Sequence, residues 1–241
     1  MQSRALASFT TLYQIQPSWA GRLVLSIGLD MAGAALSVAT NIAGGVSLAV
    51  DDDASRVREV VRSGTADFVV NTLDEALRAI KNELRKAAPL SVALKADPNA
   101  VLREILERGL KPQLFSRFCG LAESDLVKRS SEHFAAMGVE LVDFESPTRA
   151  DAQVFPRTSN AIVAPLLARQ GWALTTFNVP NPTDLRELDR SLLGLLQPED
   201  DLRRRWLDGI SKILQQRQRP LQRCVWLTRD EQERLNPGSY S

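Results

Sequence analysis

Leu23-Val24-Leu25-Ser26-Ile27, followed by Gly28-Leu29-Asp30-Met31-Ala32-Gly33-Ala34, reads as a strand that turns through glycine into a helix. A βα turn after the first strand of an open sheet is where dinucleotide-binding folds seat a pyrophosphate. Glycines let the backbone approach, and the helix N-terminus offers unpaired N–H groups. Asp51 ends the next apolar run, Val46 to Val50, where such folds carry a carboxylate for ribose hydroxyls. Taken alone, the pattern is weak. Gly28 and Gly33 make no G-x-G-x-x-G, and a tight turn with a close helix–sheet contact accounts for both without a ligand.

Outward from this turn, short β-branched runs alternate with segments of helical period, the pattern of βαβ units around a parallel sheet. Strands are predicted at 23–27, 46–50, 90–94, 113–116, 139–144, 172–177 and 223–227. Helices are predicted at about 31–43, 54–63, 73–87, 98–108, 123–137, 160–169, 183–196 and 199–217. Gly64, Gly109, Gly138 and Gly171 each follow a predicted helix, where a left-handed residue costs glycine least. Thr72 and Glu75 form a capping-box pattern, and Asp97-Pro98 supplies a cap followed by proline at the first helical position. After about residue 145 the alternation loosens. The expected fold is therefore a doubly wound, mostly parallel, Rossmann-like α/β domain spanning 1–241, with a βαβ core at 1–145 and a helical lobe with returning strands at 146–241.

Composition bounds the function classes. The chain has 241 residues, 44% of them hydrophobic and 24% charged, enough to bury a sizeable core. Thirty basic residues nearly balance twenty-nine acidic ones, so no field draws in nucleic acid. The apolar stretch from Leu23 to Val50 is interrupted by Gly28, Asp30, Gly33, Asn41 and Gly44-Gly45, which argues against a membrane span. No signal-peptide pattern opens the chain, and Cys119 and Cys224 lack the spacing of a zinc or redox pair. The expectation is a cytoplasmic protein with free thiols, engaging neither nucleic acid nor membrane.

A longer string carries more information: Ala20-Gly21-Arg22-Leu23 through Gly28-Leu29 to Ala43-Gly44-Gly45-Val46, then Asp51-Asp52-Asp53-Ala54-Ser55-Arg56-Val57. It resembles the NAD-binding domain of the urocanase family, in ungapped register, and the likeness continues through Leu73 to Leu77, Pro89 to Val92 and Gly109. Later blocks at Phe134 to Phe144, Pro165-Leu166, Asp189-Arg190, Arg205 to Asp208 and Cys224 to Leu227 are similar too. In that family this domain is embedded in a larger dimeric enzyme, and tightly held NAD+ acts as an electrophile in the hydration of urocanate.

The resemblance implies three cofactor-binding residues: Gly33 at the pyrophosphate turn, Asp51 at the ribose in place of a glutamate, and Arg56 five positions on. Elsewhere the chain departs from the family. Asp30-Met31 replaces a glycine pair, Asp97 stands for an asparagine, Ser116-Arg117-Phe118-Cys119-Gly120 replaces a polar DQTSAH run, and Ile162 stands for a tyrosine. Asp30 is placed to cap the following helix, an arrangement worth roughly 0.5–2 kcal/mol, and its charge would repel a pyrophosphate there. The family's catalytic cysteine segment, expected after Leu227, and its substrate-binding core are not found in the 241 residues, so no catalytic residue is assigned.

Two functions follow as expectations. One is a urocanase-like Rossmann domain protein unable to hydrate urocanate by itself, with a degenerate NAD site and a binding or scaffolding role. The other is the NAD-binding subunit of a split urocanase, a lyase of histidine degradation completed by a partner chain. Expected partners are a dinucleotide or small molecule, a second copy, or a urocanase-like chain. An NAD-dependent dehydrogenase is disfavoured, because the only histidine, His133, reads as a surface residue near a helix end. Asp51-Asp52-Asp53 suggests hard-cation ligands less well than a strand end leading into a helix cap. Cys119, beside Arg117 at a strand's C-terminal rim, reads as a tucked apolar residue or as a reactive thiol. Arg203-Arg204-Arg205, interleaved with Glu199, Asp200, Asp201 and Asp208, reads as a salt-bridged helix face.

Overall fold

Gly28 sits at φ +96°, in the left-handed region, and turns the end of the first strand into a helix at the centre of a seven-stranded parallel sheet. The computed structural model describes residues 1–118, 125–145, 154–213 and 221–235. In chain order the elements are α1 (Gln2–Ile15), β1 (Leu23–Ile27), α2 (Met31–Ile42), β2 (Val46–Asp51), α3 (Ala54–Arg62), β3 (Phe68–Val70), α4 (Leu73–Lys86), β4 (Leu90–Lys95), α5 (Pro98–Glu107) and β5 (Leu114–Arg117). They continue with α6 (Asp125–Ala136), β6 (Glu140–Asp143), β7 (Arg157–Thr158), α7 (Ser159–Gln170), β8 (Ala173–Asn178), α8 (Pro182–Leu195), α9 (Asp201–Ile213), β9 (Gln222–Leu227) and α10 (Arg229–Arg234).

The sheet order is β3-β4-β2-β1-β5-β6-β7, so the winding reverses between β1 and β5. That reversal opens a crevice at the strands' C-terminal ends, the place where doubly wound sheets bind ligands. Helices α4, α5 and α6 pack on one face, through Leu73, Ala76, Leu102, Ile105 and Phe134. Helix α2 covers the other and is buried from Ala32 to Thr40, because α1 lies across its outer side through Ala5, Leu6, Phe9 and Leu12. Small residues in α2 are what allow it to be sandwiched so closely.

The expected capping devices are present. Thr72 and Glu75 make the reciprocal box of α4, Asp97 caps α5 through the N–H groups of Asn99 and Ala100, and Gly64, Gly109, Gly138 and Gly171 are all left-handed. Several elements were not expected. Helix α1 has apolar residues at 5, 6, 9 and 12, a helical period masked by its Ser and Thr content. Strand β3 has three residues and β7 two, too few for a periodic signal.

The two strands expected after residue 145, at 172–177 and 223–227, are present as β8 and β9. β7 joins the main parallel sheet beside β6, whereas β8 and β9 leave it and pair antiparallel as a separate ribbon. The salt-bridged face expected at Arg203, Arg204 and Arg205 is present, with Arg203 paired to Asp200 and Arg205 to Asp201, and these arginines also reach other segments. Arg203 is buried, paired to both oxygens of Glu231 and to Asp200, and stacked on Trp172. Arg204 donates to the carbonyls of Leu193 and Leu196, at the end of α8, and Arg205 donates to those of Pro17 and Ala43. These cations tie segments together through backbone carbonyl oxygens, those of Leu193 and Leu196 at the end of α8 among them.

Candidate functional site at the first turn

The floor of the crevice is built by backbone. Gly28 N–H donates to Val50 O at 2.7 Å, and Phe118 N–H donates to Ile27 O at 2.7 Å, fixing the ends of β1, β2 and β5 against one another. Gly33 lies directly over Gly28. A Cβ on Gly33 would sit 2.2 Å from the carbonyl oxygen of Gly28 and 3.1 Å from the Phe118 ring, so glycine is required there by helix–turn packing. Phe118 itself is fully buried at the switch point.

The α2 N-terminus is the anion-binding position, and Asp30 occupies it. Its Oδ1 accepts from Ala32 N–H and Gly33 N–H, both at 2.9 Å, with extended backbone at Asp30 itself. Met31, the first helical residue, is 57% exposed and projects at the rim. Together these two residues put a carboxylate and a thioether where a diphosphate would meet free N–H groups.

Asp51, at the end of β2, is 1% exposed and has its acceptor sites taken by the protein. Its Oδ2 accepts from Leu29 N–H at 2.6 Å and its Oδ1 from Asp53 N–H at 2.8 Å. Arg56 closes on both oxygens, Nε to Oδ2 at 2.8 Å and Nη2 to Oδ1 at 2.9 Å. Gly33, Asp51 and Arg56 are therefore brought to one end of the sheet, but Asp51 and Arg56 are joined to each other. Asp53 caps α3 through Ser55 and Arg56, and the Ser55 hydroxyl followed by those backbone N–H groups holds its carboxyl down at about 2. Asp51 and Asp53 thus serve as a turn anchor and a cap, and among the described residues no group of His, Cys, Asp and Glu is arranged to hold a metal.

The β5 and β6 ends add charge, Arg117 as the sequence placed it and Glu145, which sequence reasoning missed. Arg117 is buried with its guanidinium 4.9 Å from the Phe155 ring centroid, and Ser116 Oγ donates to Val142 O. Glu145, just past β6, has its carboxyl pushed up by burial and then by the negative charges of Asp30 and Asp143, against the opposing pull of Arg117 and Arg4. Only the fold puts Glu145 near Asp30, 115 positions away in the chain numbering (145 − 30). A second carboxylate whose charge is felt at Asp30 makes the rim less hospitable to an anion.

The remaining candidates fall elsewhere. Asp97 is the expected cap, Ile162 is half-buried on α7, and His133 is exposed in the last turn of α6. Cys224 is a buried free thiol whose pKa is raised by desolvation, whereas Cys119 lies outside the described residues. Among the described residues no helix is long and apolar enough to cross a membrane; the stretch from Leu23 to Val50 is β1, α2 and β2. Compared with known families, residues 5–123 match the urocanase Rossmann-like domain, which takes in α1 from Ala5 on, the glycine turn, Asp51, Arg56 and Phe118.

Proposed function

The chain carries a urocanase-family Rossmann-like domain at residues 5–123, and from that premise we propose that this domain serves as a binding or scaffolding module whose dinucleotide site has been closed by its own side chains. Urocanase Rossmann domains bind NAD. The observation that carries the proposal is the Asp30 carboxylate on the N–H groups of Ala32 and Gly33. It satisfies the donors that a pyrophosphate needs and adds a charge of the same sign. The Asp51 carboxylate supports the same reading, since its oxygens are already taken by Leu29 N–H, Asp53 N–H and the Arg56 guanidinium. The residues around this turn do not fit NAD as they stand.

Isothermal titration with NAD+ tests the proposal. The native protein is expected to give no saturable heat, and Asp30→Gly is expected to bind, because the α2 N–H groups are then free. Stoichiometric NAD in the purified native protein would overturn the reading. A second reading, that the domain is the NAD-binding part of a split urocanase, is favoured by the convergence of Gly33, Asp51 and Arg56 on one rim. Loss of urocanate absorbance when the protein is mixed with a chain carrying the cysteine segment would support it.

A further inference from the structure

We propose that the chain carries a binding site for a small organic monocarboxylate at the N-terminal edge of the sheet, in a cavity between α4 and the start of β5. This is the end of β1 opposite the Gly28 turn, so the site is separate from the dinucleotide crevice. The cavity measures about 180 Å³ and lies between α4, the start of β1 and the link from α5 to β5. Leu77, Ile80 and Leu84 share one face of α4, spaced three and four residues apart, and the first two are buried. Leu23 and Leu110, both half-buried, complete the apolar lining. No residue at a break between the described segments lines it. Of those residues, Ile213, Leu221 and Leu235 pack with α1 and α2 on the opposite face of the sheet.

Volume limits the occupant. Pockets for drug-sized ligands run to about 300–1,000 Å³, whereas a void of about 150 Å³ takes benzene. The apolar body that fits is one ring or a chain of about six carbons.

Charge decides what that body carries. The polar part of the lining is Lys81, Lys111 and Gln113, and no carboxylate joins it among the described residues. Neither lysine makes an ion pair with a described residue, and the half-buried Gln113 side chain makes no hydrogen bond to one. Lys86, on the same helix, shows the contrast, since its ammonium is paired to Glu83 at 3.0 Å. Asp74, the one carboxyl that Lys81 lowers, is already held by Arg108 at 2.7 Å. Two ammonium groups and an amide beside an aliphatic lining match a carboxylate on an apolar body, the head taking charge-assisted hydrogen bonds while the body leaves water. A cation of the same shape is repelled, and a neutral molecule leaves both ammoniums without a counter-charge. A phosphate brings a second charge that aliphatic side chains do not solvate.

Titration of the full chain with sodium benzoate, followed by heat and by amide chemical shifts, tests the proposal. Saturable binding is expected, with a Kd of about 1 mM or tighter. The largest shifts are expected at the amides of Leu84, Leu110 and Lys111. Lys81→Gln combined with Lys111→Gln, at two exposed positions, is expected to weaken binding about tenfold and to leave urea unfolding unchanged. Benzylamine and benzyl alcohol, a cation and a neutral molecule of similar shape, are expected to bind the native protein at least about tenfold more weakly than benzoate. Absence of saturation by benzoate overturns the proposal. So does equal affinity for the three molecules, full affinity in the double variant, or a set of shifts confined to another part of the sheet.

Discussion

Arg56 holds Asp51 with both arms of its guanidinium, at 2.8 and 2.9 Å, while the same carboxylate accepts the N–H groups of Leu29 and Asp53. The ion pair therefore anchors the turn after β1 to the start of α3. Removing its two ends has unequal consequences. Asp51→Ala strands two backbone donors and takes from Arg56 its bidentate partner, with Asp53 Oδ2 still 3.4 Å from the guanidinium, which costs about 2–4 kcal/mol. Arg56→Ala costs about 1–2 kcal/mol, since the 35% exposed guanidinium is already partly hydrated and Asp51 keeps two backbone donors. Urea unfolding of both variants checks the order; equal losses would mean that the backbone bonds to Asp51 contribute nothing.

Gly33 and Asp30 separate packing from charge at the same turn. Gly33→Ala introduces a Cβ 2.2 Å from Gly28 O, closer than real contacts allow, and is expected to cost about 3 kcal/mol or more because backbone must shift. Asp30→Ala is expected to cost only about 1 kcal/mol, the worth of an N-cap. Thermal unfolding of the pair distinguishes the two. A Gly33→Ala protein as stable as the native one would show that the turn opens without penalty.

Arg223 and Asp189 form a second bidentate pair, at 2.6 and 2.7 Å, with the arginine fully buried between α8 and β9. Truncating one member leaves an uncompensated buried charge, so Arg223→Ala and Asp189→Ala are each expected to cost about 3–5 kcal/mol. The double variant Arg223→Met with Asp189→Leu is expected to recover most of the loss. Denaturant titration of the three proteins gives the coupling, and strict additivity would contradict it.

Acid sensitivity follows from the caps. Asp53 is held at about 2 in the folded protein, below its ordinary value of 3.8. Asp74, Glu75 and Glu231 are also lowered, by Arg108, by the Asn71 and Thr72 N–H groups, and by Arg203 with the Thr228 N–H respectively, the last two against opposing burial. A carboxyl depressed on folding contributes stability that is full above its unfolded value and lost as pH falls through its folded one. The melting temperature is thus expected to fall between about pH 4.5 and pH 2. Asp53→Asn should show a shallower fall; an unchanged slope would remove Asp53 from the account.

Cys224 offers a probe of opening. Burial raises its thiol above the ordinary value, against the lowering hydrogen bond from Thr176. In a Cys119→Ser background the folded protein is expected to resist a thiol reagent at neutral pH and to react on unfolding. Rapid labelling under native conditions would place Cys224 in a segment that opens locally.

The turn at Gly28, the caps at Asp30, Thr72 and Asp97, and the helix ends at Gly64, Gly109, Gly138 and Gly171 were all legible in the sequence. Each is a local decision, set by backbone conformation and by a side chain reaching a neighbour three residues away. The family resemblance drew on the same local string. By contrast α1, β3 and β7 were not legible, and neither was the burial of Arg203, whose partners Glu231 and Trp226 lie more than twenty positions away.

The sequence by itself determined a doubly wound sheet with a glycine turn and an aspartate at the head of α2, because strand period, capping chemistry and left-handed glycines act over a few residues. Only the tertiary structure decided what that turn holds. Asp51 became a saturated anchor, Phe118 packed under Gly33, and Glu145 came within electrostatic reach of Asp30, since strand order and helix packing bring together groups that the chain keeps far apart.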